Sequence, residues 1–98
     1  MATLHIEHAV TDFGSWKQAY DSFGEDRKSG GVRSERVRRP VGEANRVVID
    51  LDFDSVKSAQ GFLAFLETQV WPGASVMSGP AHAVVLVDQE DGHVDYPQ

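Results

Sequence analysis

The chain has 98 residues, 41% of them hydrophobic, no cysteine and a formal charge of −6. That length supports one domain with a small core, and the missing thiols exclude disulfide staples, thiolate nucleophiles and thiolate metal sites. Net negative charge argues against sequence-independent nucleic-acid binding, and no apolar run approaches the ~20 residues of a membrane span.

The first residues, MATLHIEHAV, carry neither the basic nor the unbroken apolar stretch of a secretory signal. The expectation is therefore a cytoplasmic protein that binds no nucleic acid and no membrane. Charge is unevenly spread. Between Arg27 and Arg46 seven basic residues face two acidic ones, +5 locally, which leaves −11 on the rest. An Arg-rich edge strand of this kind protects against edge-to-edge aggregation, and it also offers a basic surface to an anionic ligand.

Residues 3–10 alternate as a strand should, with Leu4, Ile6, His8 and Val10 on one face and Thr3, His5, Glu7 and Ala9 on the other. Asp12 is a good N-cap for a helix whose Phe13, Trp16, Tyr20, Phe23 and Arg27 recur at spacings of three and four. Gly24 costs this helix about 1 kcal/mol relative to alanine, and Gly30-Gly31 supplies positive-φ positions that end it near Ser29.

A hairpin follows, VRSERVRRP and RVVIDLDFD, joined by a turn over residues 41–45. Its second arm alternates cleanly, Val47, Ile49, Leu51 and Phe53 against Val48, Asp50 and Asp52. Charge selects the register. Paired numbers summing to 86 set Arg36 against Asp50 and Arg38 beside Val48, whereas a sum of 85 creates like-charge conflicts.

Asp54 or Ser55 caps the second helix, where Val56, Ala59, Leu63, Leu66 and Val70 repeat at helical spacing and Phe62 and Phe65 widen the stripe. Trp71-Pro72-Gly73 ends it. A loop containing Met77, Ser78, Gly79 and Pro80 leads to a last strand over residues 82–88. The acidic residues 89–98 form a tail outside the single domain of residues 1–88.

The order is βαββαβ, which predicts an α+β, ferredoxin-like domain: a four-stranded antiparallel sheet with two helices on one face. The other sheet face shows His5, Glu7, Arg36, Val48, Asp50, Val84 and Leu86. Such a mixed surface on a small domain predicts a homodimer.

The segment LHIEHAVTDFGSWKQAYDSF joins a strand with a late histidine to a Trp-Lys-x-x-Tyr-Asp helix (Trp16, Lys17, Tyr20, Asp21), and the chain restarts at Gly31-Val32. With the element order, this makes residues 3–88 resemble the dimeric α/β-barrel superfamily, which includes antibiotic-biosynthesis monooxygenase-type domains and small uncharacterised members. The resemblance implies a substrate cleft between helices and sheet in each subunit and a largely structural barrel between subunits. It directs attention to His8.

On that basis His8 and Tyr20 are the candidate catalytic residues, and Trp16, Trp71 and Phe62 the candidate substrate-binding residues. An imidazole with an ordinary pKa near 6.5 suits proton removal from a phenolic or enolic substrate. The same residues also make sense as packing, with His8 a hydrogen-bonded core histidine and the Trp/Tyr stripe plain core. Haem-degrading relatives use a cleft Asn, a Trp and a haem-binding His on or after the second helix. Here His8 replaces the first, Trp71 stands for the second and His82 falls in a strand, so no cofactor is expected.

His5, Glu7, Asp50 and His82 share a face, but no tight ligand spacing accompanies them and no metal is expected. The serines lie in capping or loop contexts without a GxSxG elbow. The functional expectation is a small-molecule-binding dimeric α/β-barrel protein, with activity of the cofactor-free monooxygenase or cyclase type on an apolar or aromatic cyclic substrate. The alternatives are a non-catalytic ligand binder and a purely structural dimer.

Overall fold

Period-two burial organises the sheet. In the computed structural model, which describes residues 1–89, β1 (Ala2–Val10) and β3 (Arg46–Phe53) each bury every second residue. Their inward faces, with Leu4, Ile6, Val47, Leu51 and Phe53 essentially solvent-free, form the core. β2 (Val32–Arg38) and β4 (Met77–Val87) flank this pair, giving the order β2-β3-β1-β4 with every neighbour antiparallel. Three helical segments, α1 (Phe13–Ser22), α2 (Gly24–Ser29) and α3 (Val56–Phe65), cover the apolar face. The fold is the α+β ferredoxin-like one.

Capping follows the side chains. Asp12 accepts from the Ser15 amide at 2.9 Å and Ser55 from the Ser58 amide at 3.1 Å. Asp54 is used otherwise, taking the Arg33 guanidinium at 2.6 Å. In the hairpin Arg36 lies opposite Asp50 and Arg38 opposite Val48, the register that charge selects. A shift at Arg33 then brings Val32 opposite Phe53.

Four local expectations need correction. The first helix is not continuous, because Phe23, at φ −97° and ψ 18°, ends α1 and starts α2. Phe23 is consequently exposed instead of joining the core. Of the two glycines at the end of α2 only Gly31 has positive φ, at 94°; Gly30 is required for space. A Cβ there would lie 2.5 Å and 2.9 Å from ring carbons of Phe62.

The second helix changes its winding, with a π turn at Leu66–Val70 followed by a 3₁₀ turn at Trp71–Gly73. The last strand begins at Met77, so the segment read as a loop is paired. Between Glu7↔His82 and Ala9↔Ser78 the register shifts, and Gly79, at φ 91°, and Pro80 occupy the irregularity. An edge strand tolerates proline at such a point because the ladder is already interrupted there. Most of the acidic tail, residues 90–98, lies outside the described residues. No helix among the described residues is long and apolar enough to cross a membrane.

The outward sheet face carries a chain of polar contacts. His5 bonds Asp50 at 2.7 Å through Nδ1 and Glu7 at 3.2 Å through Nε2, while Arg38 reaches Asp50 at 2.6 Å. Two carboxylates on one imidazole favour the doubly protonated ring, and the Asp50 bond is the largest cause of its raised pKa. Asp52 is held low by hydrogen bonds from Ser34 and then Thr3.

Two outcomes follow. Gly30→Ala forces Phe62 to shift and lowers unfolding stability by about 1–3 kcal/mol in denaturant titrations. Because the folded pKa of His5 is raised, its stabilising contribution is fully present below about pH 6.5 and disappears as pH rises through the folded value. Thermal unfolding of wild type and His5→Gln should therefore differ most on the acidic side and converge on the alkaline side.

Candidate functional site

Between the helical layer and the sheet lies a cavity of about 250 Å³. Exposed Phe23, Gly73 and Ser75 border it at the surface, and Ile6, Ile49 and Leu51 form its floor. All five residues singled out in the sequence, His8, Trp16, Tyr20, Phe62 and Trp71, border this one space. They come from β1, α1, α3 and the 3₁₀ turn, elements brought together only by the fold.

One wall is a continuous stack. The His8 ring meets Trp16 edge-on at 6.0 Å, Trp16 stacks on Tyr20 at 4.9 Å, and the Arg27 guanidinium lies 3.7 Å from the Tyr20 ring centre. Trp16 and Tyr20 are one turn apart on α1, and Arg27 follows seven residues after Tyr20, on α2 beyond the break. The break at Phe23 keeps Arg27 beneath Tyr20 across two separate helices.

His8 is 2% exposed. Its Nδ1 donates to the Ala9 carbonyl at 2.9 Å, so in the neutral ring Nε2 is the acceptor. Burial, with a smaller effect of Arg46, pushes its pKa below the ordinary value and keeps the ring neutral at pH 7. Nε2 has no partner among the described residues, yet no buried side-chain nitrogen or oxygen there is both sealed and unpaired. The His8 side chain borders the cavity.

Tyr20 is arranged differently. Its hydroxyl donates to Glu35 Oε2 at 2.8 Å, and burial, followed by that hydrogen bond, drives the phenol pKa well above its usual range. The ring faces the cavity while the proton is engaged by a carboxylate. Trp71 and Phe62 contribute apolar surface, with Phe62 also packed at a tilt against Phe53 at 5.8 Å and Phe65 at 5.6 Å.

Sequence reasoning missed Arg27 and Glu35 as site residues. Arg27 is 8% exposed and its Nε bonds the same Glu35 oxygen at 2.7 Å, while Nη1 donates to the Tyr20 carbonyl. A usable signal existed, because Arg27 sits seven residues after Tyr20 on the apolar stripe. Its carboxylate partner on β2 could not be read from spacing.

The second sequence-level cluster serves the sheet surface. His5 is taken up by Asp50 and Glu7, and His82 stands opposite Glu7 on an edge strand. Among the described residues no three His, Asp or Glu side chains are grouped as a metal ion would require.

No protein-family model and no curated protein matches the sequence. Solved structures do resemble it in shape. A Nitrosomonas europaea protein provisionally described as an antibiotic biosynthesis monooxygenase aligns with a TM-score of 0.66 at 17% identity, over 92% of this chain and 100% of that one. A dimeric ferredoxin-like protein from an uncultured marine organism aligns at 0.63 and 10% identity, covering 94% and 98%. A Thermus thermophilus protein provisionally described as PII-like and signalling aligns at 0.54 and 17% identity, covering 87% and 85%. These identities carry the architecture across and leave function to be argued from the site. The chain has the ferredoxin-like fold seen in these dimeric and monooxygenase-like structures.

Proposed function

We propose that the protein binds a small apolar cyclic molecule in the helix-sheet cavity and acts on it as a cofactor-free enzyme of the monooxygenase or cyclase type, with His8 as general base. The observation that carries this reading is the neutral, acceptor-bearing His8 at the edge of a cavity walled by Trp16, Tyr20, Phe62 and Trp71. A volume of about 250 Å³ lies just under the roughly 300–1,000 Å³ of most ligand pockets, which suits a substrate of two or three rings.

The chemistry asked of the chain is modest. Nε2 takes a proton from an acidic C–H or O–H of the substrate, and the apolar surroundings make recapture by water slow. In the oxidative version dioxygen is the oxidant: a ring CH₂ becomes C=O and one water is released. Tyr20, held between Trp16 and Arg27, lends the edge of its ring to this site, while its own proton stays with Glu35.

The working unit in this reading is a homodimer. Val84 and Leu86, 38% and 46% exposed, stand on the outward face beside the Arg38–Asp50–His5 contacts. A second subunit would bury this mixed surface. Two structural neighbours are described as dimeric ferredoxin-like proteins.

A non-catalytic ligand binder is the second reading, favoured by the deep burial of His8. Turnover separates the two. An anthrone or quinol substrate is expected to be consumed by the wild type, followed by product absorbance and oxygen uptake, and about 10²–10⁴-fold more slowly by His8→Ala. Because the imidazole pKa is lowered, the acid limb of kcat/KM should fall below about pH 6.5. Binding without turnover selects the second reading; equal rates in His8→Ala remove the base assignment.

A further inference from the structure

Among the described residues Arg27 is the one fixed charge bordering the cavity, and its donors are only partly used. Its side chain is 9% exposed, Nε is bonded to Glu35 and Nη1 to the Tyr20 carbonyl. Nη2 has no hydrogen-bond partner among the described residues. It is nevertheless not sealed, since no buried side-chain nitrogen there is left unpaired.

A guanidinium carries five N–H donors in a fixed fork, so two bonds leave others to spare. In a largely apolar space such donors favour a ligand oxygen. The charge is already matched, because the Glu35 carboxylate lies 2.7 Å from Nε. A second full negative charge at Nη2 would be repelled by Glu35, whereas a neutral carbonyl oxygen would not.

We propose that Arg27 sets the ligand specificity of the cavity, donating from Nη2 to the carbonyl oxygen of an uncharged, ring-bearing ligand. This rests on the cavity being a ligand site, as argued above. His8 and Arg27 stand at opposite ends of the Trp16–Tyr20 stack. The ligand therefore lays its rings along the stack, with its carbonyl at the Arg27 end and its acidic hydrogen at the His8 end. Aryl ketones and anthrones meet that description, and plain aromatic hydrocarbons do not.

The test is calorimetric titration of the full chain with three molecules of one shape: 2-acetylnaphthalene, 2-ethylnaphthalene and 2-naphthoate. The ketone is expected to bind about tenfold more tightly than the ethyl compound, as one hydrogen bond from a charged donor allows, and more tightly than the carboxylate. Arg27→Lys keeps a cation for Glu35 but lacks the second nitrogen; the ratio of ketone affinity to ethyl-compound affinity should fall to within about twofold. Glu35→Gln, a change at a more exposed residue, should raise naphthoate affinity while the ketone still binds.

Equal wild-type binding of ketone and ethyl compound overturns the assignment of Arg27 while leaving the cavity as a ligand site. A ketone preference that survives in Arg27→Lys does the same, as does naphthoate binding best to the wild type. Failure of all three molecules to bind overturns the cavity reading together with it.

Discussion

Everything in this molecule follows from a sheet that must hide one side and show the other. In β1 and β3 a side chain belongs to the interior or the exterior by parity alone, and a slip of one residue would exchange Ile49 for Asp50 in the core. The charged partners on the outward face reinforce the choice. Arg36 opposite Asp50 and His5 opposite Asp50 make the observed registers electrostatically favourable, and the aliphatic residues behind them make any other arrangement costly. The helices are then positioned by what the inward face offers them.

The cavity exists because that helical layer does not close completely. A continuous first helix would carry Phe23 inward at the next turn. The break at Phe23 turns it out, and Arg27 occupies the end of the stack instead. Burying a guanidinium is tolerable only with partners, which Glu35 and the Tyr20 carbonyl provide. The ion pair ties α2 to β2 and lends the apolar chamber a polar end. The aromatic stack is thus both scaffold and wall, and neither role excludes the other.

Much of this was legible from residue order. Strand parity, the hairpin register, the Asp12 and Ser55 caps and the convergence of His8, Trp16, Tyr20, Phe62 and Trp71 follow from periodicity, charge and the resemblance those features support. Less was legible where two distant elements decide together. The Gly24 penalty marks weakness in the helix without locating the break at Phe23. Gly30 reads as a chain reversal, although its actual constraint is the Phe62 ring arriving from α3. Gly79-Pro80 reads as a loop because local signals cannot reveal that an edge ladder will absorb the irregularity. Arg27 looks like one more member of a basic segment until β2 places Glu35 against it.

The π turn at Leu66–Val70 makes the site dependent on residue count. Trp71 follows directly on the widened turn, so its direction is set by how many amino acids precede it as much as by its identity. Loss of a single residue there, unless a change of winding absorbed it, would swing the indole by about 100° around the helix axis. Natural lineages of this chain would thus tolerate exchanges of side chain in that stretch more readily than changes of length.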